Sequence, residues 1–596
     1  MDNKKIINER IENLRKLMLE ENIDAYIIPT SDYHGSEYVG EYFKERVYIS
    51  GFTGSAGTVI VTPTKAGLWT DGRYFLQAED QLKGTIITLY KMGEKNVPTM
   101  TAFLKNELKD NALVGFDGKT LTTSYCLGLL NELASKQIKF KYDVDLIDKI
   151  WKDRPQLSKE KAYLLDDKYT GCSRKEKIAR VRAYLKENNL DYFVLTSLDD
   201  ISWLLNIRGN DVECNPVVLS YVTLTSNNLN LYINKEVLSS EIKVELTKDG
   251  ITIKDYFDIY EDVKNIKNKR VILEENKVNY AIFASLNGNY IVNRMNPTTA
   301  YKAVKNDTEI KNVIDAHIKD GVALTKFIYW LKKNVGKLPL TELSASDKLE
   351  SFRREQEHFM GLSFTTIAGY ASHGAIVHYD PTSETDIPLK NESFLLVDSG
   401  AQYLEGTTDV TRTIALGTLT KEEKKHYTAV LKGHLALSDA KFLNGTSGCE
   451  LDMLARRPLW ELGLNFNHGT GHGVGYFLNV HEGPQSISNA PIRCSYPFSK
   501  GMITSNEPGL YITGKYGIRI ENLVLCEDYM ETEFGKFLKF RNLTLAPYEI
   551  DAINKDELTS YEIKLIHDYH VEVYNVIEKY LTSDEKKWLK DIVEAI

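Results

Sequence analysis

Two stretches in the amino-terminal half of this chain match each other without a gap. LRKLMLEENIDAYIIPTS (14 to 31) answers VRAYLKENNLDYFVLTSL (181 to 198), with Arg15, Asn22 and Asp24 facing Arg182, Asn189 and Asp191. Each copy has an amphipathic helical period, an Asn-Asp stop and an apolar run of strand length. Each then leads into alternating segments, TVIVTP and PVVLSYVTL, that read as strands. A chain built this way begins with two related α/β domains. Polar WKDRPQLSKEKAYLLDDK separates the copies and NRMNPTTAYKAVKND ends the second, which sets the expected boundaries at 1–157, 158–303 and 304–596. A total of 596 residues, at about 150 per domain, leaves ample length for the third.

That third region opens with Asn306 and Glu309 spaced as a capping box. Leu324, Phe327, Ile328 and Leu331 then repeat at helical intervals before Gly336, which predicts one long helix buried along a stripe. SFLLVDSG, DVTRTIAL, GMITSNEP and YGIRIENLVL read as strands, EEKKHYTAVLKGHLALSDAKF as a helix, and the tail from Tyr561 as two more helices. The layout is α+β.

Seven of the twelve histidines lie between His373 and His481, so any chemistry is expected there. SFLLVDSGAQY ends an apolar run at Asp398, and Asp409 opens a second one after a Leu404-Glu405-Gly406 turn signal. A hairpin would bring the two carboxylates together, where they would resist ionisation unless a cation held them. Taken alone, each aspartate also suits a solvated turn. NHGTGHGVG carries glycines at 469, 471, 473 and 475, too many for a helix, so His468 and His472 belong to extended or loop backbone that approaches something closely. Two glutamates follow, Glu507 in SNEPGLY and Glu521 in GIRIENLVL. A period of two puts Arg519 and Glu521 on one face and Ile518, Ile520 and Val524 on the other, although an edge-strand ion pair would show the same pattern. The four carboxylates at 398, 409, 507 and 521 sum to −4, which two divalent cations neutralise. Oxygen donors with one imidazole suit a fairly hard metal such as manganese.

VDSGAQYLEGTTDVTRT, HGTGHGVGYFLNVHEGP, SNEPGLY and GIRIENLVL closely resemble the Xaa-Pro aminopeptidases, the proline-specific branch of the pita-bread metallopeptidases. WTDGRYFLQA, WLLNIRGNDVECNPV, KAVKNDTEI and GAIVHYDP extend the likeness over nearly the whole chain, in its long three-domain form. The resemblance implies two creatinase-like α/β domains followed by a pita-bread catalytic domain with a helical extension. It implies that Asp398, Asp409, His472, Glu507 and Glu521 hold two divalent metal ions, most often Mn2+, with Co2+ or Zn2+ as substitutes. A hydroxide bridging the metals would attack the Xaa-Pro carbonyl, with Glu507 handling its proton. His378, His468 and His481 are expected in the substrate pocket, with Phe364 as the aromatic that packs on proline and Arg519 beside Asp398. Prolidase-like dipeptide cleavage and a catalytically silent binding protein are the alternatives. One stretch departs from the family pattern: Ala371-Ser372-His373 stands where the family is rich in Gly, Pro and Asn, which bears on the shape of the pocket entrance.

Other functions find little support. Net charge is 74 − 83 = −9, spread along the chain, so a nucleic-acid partner is not expected. No stretch approaches about 18 consecutive apolar residues, and the start lacks the apolar core of an export signal. GLYITGK mimics a phosphate loop, but Tyr516 stands where a Ser or Thr would hold magnesium. The six cysteines are far apart with no CxxC pair, so all are expected as reduced thiols in a cytoplasmic enzyme. The family suggests a homodimer built largely through the amino-terminal domains.

Overall fold

The computed structural model describes residues 3–596 and comprises two compact units. The first runs to Leu165 and takes in Ser173–Glu213 and Val217–Thr298; the second holds Asp166–Cys172, Cys214–Pro216 and Thr299–Ile596.

The first unit contains two six-stranded sheets of the same design. One is ordered Thr88–Lys91, Ala66–Thr70, Thr58–Val61, Ala25–Pro29, Leu113–Gly115, Lys139–Lys141; the other is ordered Ile251–Lys254, Leu229–Ile233, Ser220–Leu224, Tyr192–Leu195, Arg270–Leu273, Tyr290–Asn293. In both, the second and third strands and the third and fourth pair antiparallel, and the remaining neighbours are parallel. The matched residues explain why the copies agree. Asn22 and Asn189 both take positive φ, 56° and 53°, the left-handed conformation that ends a helix and that Asn tolerates better than most residues. Asp24 Oδ2 accepts the Leu113 N–H at 2.8 Å, and Asp191 Oδ2 accepts the Arg270 N–H at 2.8 Å. Arg15 Nε donates to Thr62 O and Arg182 Nε to Thr225 O, at 3.1 and 3.2 Å. Each trio turns the chain from its helix into the same sheet position.

In the second unit Asn306 caps the helix Asp307–Asn334 through a full capping box with Glu309. Leu324, Phe327, Ile328 and Leu331 are buried on it against Leu395, Val397, Val410 and Ile414. At about 1.5–3 kcal/mol per buried side chain, this stripe fixes the helix behind two strands, Phe394–Ser399 and Val410–Ala415. The helix Lys421–Ser438 backs a second core, where Tyr427, Val430 and Leu431 meet Ile518 and Ile520. Two carboxy-terminal helices, Ser560–Ile577 and Ser583–Glu594, pack on the same core through Ile566, Val573 and Leu589.

Two expectations need correction. YGIRIENLVL is two strands, Tyr516–Arg519 paired with Gly509–Ile512 and Asn522–Thr532 paired with Ile503–Asn506. The break falls at Ile520-Glu521 because the Ile520 N–H turns to Pro508 O and the Glu521 N–H to Thr411 O. Ile518 and Ile520 therefore share one core, while Val524 belongs to another with Cys526 and Phe540. The cysteines are not all free thiols: Cys449 and Cys494 are joined in a disulfide. They sit on the helices Gly448–Trp460 and Pro491–Cys494, which tertiary packing brings together and no local spacing reveals. Cys126, Cys172, Cys214 and Cys526 stand outside this disulfide as thiols. Unfolded without reductant, the oxidised chain is expected to expose these four thiols, and all six cysteines after reduction. Six thiols before reduction would contradict the pairing.

Candidate metal centre

Antiparallel pairing sets Asp398 opposite Thr411, and Asp409 immediately precedes the second strand of the pair. Both aspartates and Glu521 are buried. His472 arrives on a two-residue strand, Gly471–His472, paired with Ser486–Ile487. A Cβ on Gly471 would lie 1.9 Å from Ser505 O, and one on Gly473 would lie 2.1 Å from Glu482 O. Only glycine lets this backbone pass on either side of the histidine.

The His472 N–H donates to Ser505 Oγ (2.9 Å), and its ring Nδ1 lies 3.0 Å from Gly473 O. That contact holds a proton on Nδ1 whether or not the ring is charged, and turns Nε2 toward the site. Nε2 is 3.4 Å from both Asp409 Oδ2 and Glu507 Oε1. The Ser505 hydroxyl donates to Glu507 Oε1 at 3.1 Å, and the Thr411 hydroxyl donates to Glu521 Oε2 at 2.6 Å.

The donor set fits a metal. Asp409, His472 and Glu521 offer ligand atoms that all lie within 4.8 Å of one another. Asp398 Oδ1 and Glu521 Oε1 are buried and have no hydrogen-bond partner. Such an oxygen costs about 1–3 kcal/mol if left unpaired, and a cation is the partner that removes the cost. Burial and the charge of neighbouring carboxylates raise Asp398, Glu507 and Glu521. Glu507 is lifted to about 7 by burial and then by Asp409 and Asp398, against the pull of His472 and Arg519. Glu521 is pushed well above the usual range by burial and by the three neighbouring carboxylates. Burial also raises Asp398, with Arg519 opposing. His472 is disfavoured as a cation by burial, yet its hydrogen bond to Asp409 and the charge of Glu507 lift it to about 9.

Arg519 is buried beside this set. Its Nε and Nη2 both converge on Asp398 Oδ2, at 3.1 and 2.7 Å, instead of dividing over two oxygens as a fork. That arrangement leaves Oδ1 free. Arg519 Nη1 donates to the Tyr511 hydroxyl at 2.6 Å, and Tyr511 lies 2.8 Å from His468 Nε2. His468 Nδ1 lies 2.7 Å from Gly469 O. Both ring nitrogens of His468 are therefore engaged, and burial together with Arg519 pushes its pKa down to about 3. The His481 ring centroid lies 4.3 Å from that of His472, nearly perpendicular. Phe364 is half-buried next to Ser363, whose hydroxyl donates to Thr408 O beside Asp409. His378 is half-buried one residue after Val377, whose carbonyl accepts from Arg519 Nη2 at 3.3 Å.

Sequence reasoning missed three contributors. Tyr511 joins Arg519 to His468, and the pairing of Gly509 with Arg519 is the signal that would have set it on the same face. Asp452 and Arg456 form a buried pair one helical turn apart; Arg456 donates to the carbonyls of Phe466 and His468, and Asp452 accepts from Thr470. Together they brace the glycine-rich loop from behind. An i, i+4 ion pair looks the same on a solvated helix.

Comparison with known proteins follows the same domain order. Residues 10–150 and 153–309 each match a Creatinase/Prolidase N-terminal domain, 311–528 match metallopeptidase family M24, and 536–596 match the C-terminal region of that peptidase family. The chain is 40% identical to Xaa-Pro aminopeptidase 1 of Dictyostelium discoideum, over 99% of this chain and 97% of that one. It is 36% identical to aminopeptidase P1 of Arabidopsis thaliana, over 99% of both. Its structure is similar to the crystal structure of an X-prolyl aminopeptidase from Caenorhabditis elegans, described as a cytosolic enzyme with a di-nuclear active site. The TM-score is 0.93 at 35% identity, covering 98% of this chain and 99% of that one.

Proposed function

The chain belongs to metallopeptidase family M24, and we infer that it is an Xaa-Pro aminopeptidase, releasing the first residue from peptides whose second residue is proline. The observation that carries this reading is the meeting of Asp409, His472 and Glu521 within ligand distance in a chain that aligns end to end with enzymes of that name. The Xaa-Pro bond is a tertiary amide without an N–H, so it needs a dedicated site. The relatives do not favour the prolidase-like and silent alternatives.

We propose that Asp398, Asp409, His472, Glu507 and Glu521 hold two divalent cations, which would lower the pKa of a water and polarise the scissile carbonyl. Glu507 is the proposed residue to take a proton and pass it to the proline nitrogen, since its carboxylate stands in the donor set, 3.4 Å from His472 Nε2. His481, against His472, and His378 are the candidates to donate to the developing oxyanion. His468 acts through Tyr511, because neither ring nitrogen is free. Phe364 is the proposed proline-packing aromatic. The oxygen-rich donors favour Mn2+, with Co2+ or Zn2+ as substitutes. Following the nematode enzyme, we place the protein in the cytosol; among the described residues no helix is long and apolar enough to cross a membrane. Peptides are the partners, a homodimer is the proposed assembly, and 1–157, 158–303 and 304–596 are its proposed domains.

The test is a comparison of Xaa-Pro dipeptides with Xaa-Pro-Xaa peptides on metal-loaded enzyme. Faster cleavage of the longer peptides is expected, and cleavage of the dipeptides alone would make the enzyme a prolidase.

A pH dependence follows from the metal-free site. Glu507 has a folded pKa of about 7 against an ordinary value of 4.5, so metal-free stability falls as pH rises between these values. His472, at about 9 against 6.5, contributes stability below the lower value that is lost as pH rises through the upper one. Both trends weaken the metal-free protein at higher pH, where a cation replaces the protons. The rise in Tm on adding Mn2+ to chelator-treated protein is therefore expected to be larger near pH 8 than near pH 5.5. An equal rise at both would contradict this electrostatic account.

A further inference from the structure

The segment carrying His378 is held by a residue outside the metal site. Glu342 is fully buried at the start of the helix Glu342–Arg354. Its carboxylate accepts the Tyr370 N–H at 2.7 Å and the Tyr379 hydroxyl at 2.9 Å, and His373 Nδ1 lies 3.0 and 3.1 Å from its two oxygens. One side chain thus grips both ends and the middle of the turn from 370 to 379. The His373 and Tyr379 rings are in contact, with centroids 4.4 Å apart.

The rest of the turn is equally constrained. A Cβ on Gly517 would lie 1.7 Å from Gly374 O, so the turn rests backbone to backbone on the strand Tyr516–Arg519. Val377 O accepts from Arg519. Ala371 takes a φ of 48°, a conformation that glycine or asparagine adopts more readily. This chain meets that conformation with alanine, and His373 follows two residues later in the same turn.

We propose that Glu342 is a positioning residue for the reaction, acting through Tyr370, His373 and Tyr379 to set the backbone from which His378 reaches the substrate. The proposal rests on the reading of His378 as a substrate-pocket residue. Glu342→Gln turns an acceptor into an amide facing a donor, and His373→Ala removes one point of the grip. His373→Asn restores it, because Asn Nδ2 can stand where the imidazole Nδ1 stood.

The experiment measures kcat, KM and bound metal for Glu342→Gln, His373→Ala, His373→Asn, His378→Ala and the Glu342→Gln/His378→Ala double variant on an Xaa-Pro-Xaa peptide. Glu342→Gln and His373→Ala are expected to lower kcat by at least about 10-fold with two metals retained, His373→Asn to recover most of that loss, and the double variant to match His378→Ala alone. Multiplying effects in the double variant would overturn the proposal, as would a His373→Asn enzyme no better than His373→Ala. A fully active His378→Ala enzyme would remove the reading of His378 and the proposal with it. Should Glu342→Gln fail to fold, Tyr379→Phe removes a single donor, and the same double-variant comparison is read on it.

Discussion

Replacing Asp409 with asparagine is expected to abolish turnover and lower bound metal below two per chain. Asn keeps the shape of the side chain but not its charge. Asp409 is buried, and its Oδ2 lies 3.4 Å from His472 Nε2 at the centre of the donor set. Charge stabilisation by a cation pair supplies several kcal/mol at the transition state, and each 1.4 kcal/mol is about tenfold in rate, so a loss of at least about 10³-fold follows. Kinetics with metal analysis on the same sample checks it. Full metal occupancy with near-normal turnover would remove Asp409 from the site.

The second large effect is expected for Arg519→Lys. Arg519 aims two nitrogens at Asp398 Oδ2 and a third at the Tyr511 hydroxyl. An ammonium keeps the charge but cannot span both partners. Asp398 would lose its fixed orientation, and Tyr511 would lose the donor that orders it against His468. Turnover and metal affinity should each fall by roughly 10- to 100-fold. Tyr511→Phe breaks only the second of these links, so it should lower turnover while sparing metal affinity. Unchanged metal titration and kinetics for Arg519→Lys would place the guanidinium outside the working site.

How much could be read in advance depended on whether a residue's job is local. Asn22 and Asn189 were legible because each ends a helix at positive φ, and the Asn306 box because it satisfies nearby N–H groups. Period two found the buried Ile518 and Ile520 but not the strand break after them, since that break comes from bonds to Pro508 and Thr411 elsewhere in the chain. The charge count of −4 omitted Arg519, whose contact with Asp398 crosses 121 residues. Tyr511 was overlooked because a tyrosine on a short strand looks like packing until its hydroxyl is seen between Arg519 and His468. The Cys449–Cys494 pair, 45 residues apart, depends wholly on tertiary packing.

Metal dependence is measured by titrating divalent metal into chelator-treated enzyme while following cleavage of an Xaa-Pro-Xaa peptide. No activity is expected without metal, with full recovery at two equivalents of Mn2+ per chain and release of the first residue alone. Full activity in the metal-free protein, or saturation at one equivalent, would contradict a two-metal site built from Asp398, Asp409, His472, Glu507 and Glu521.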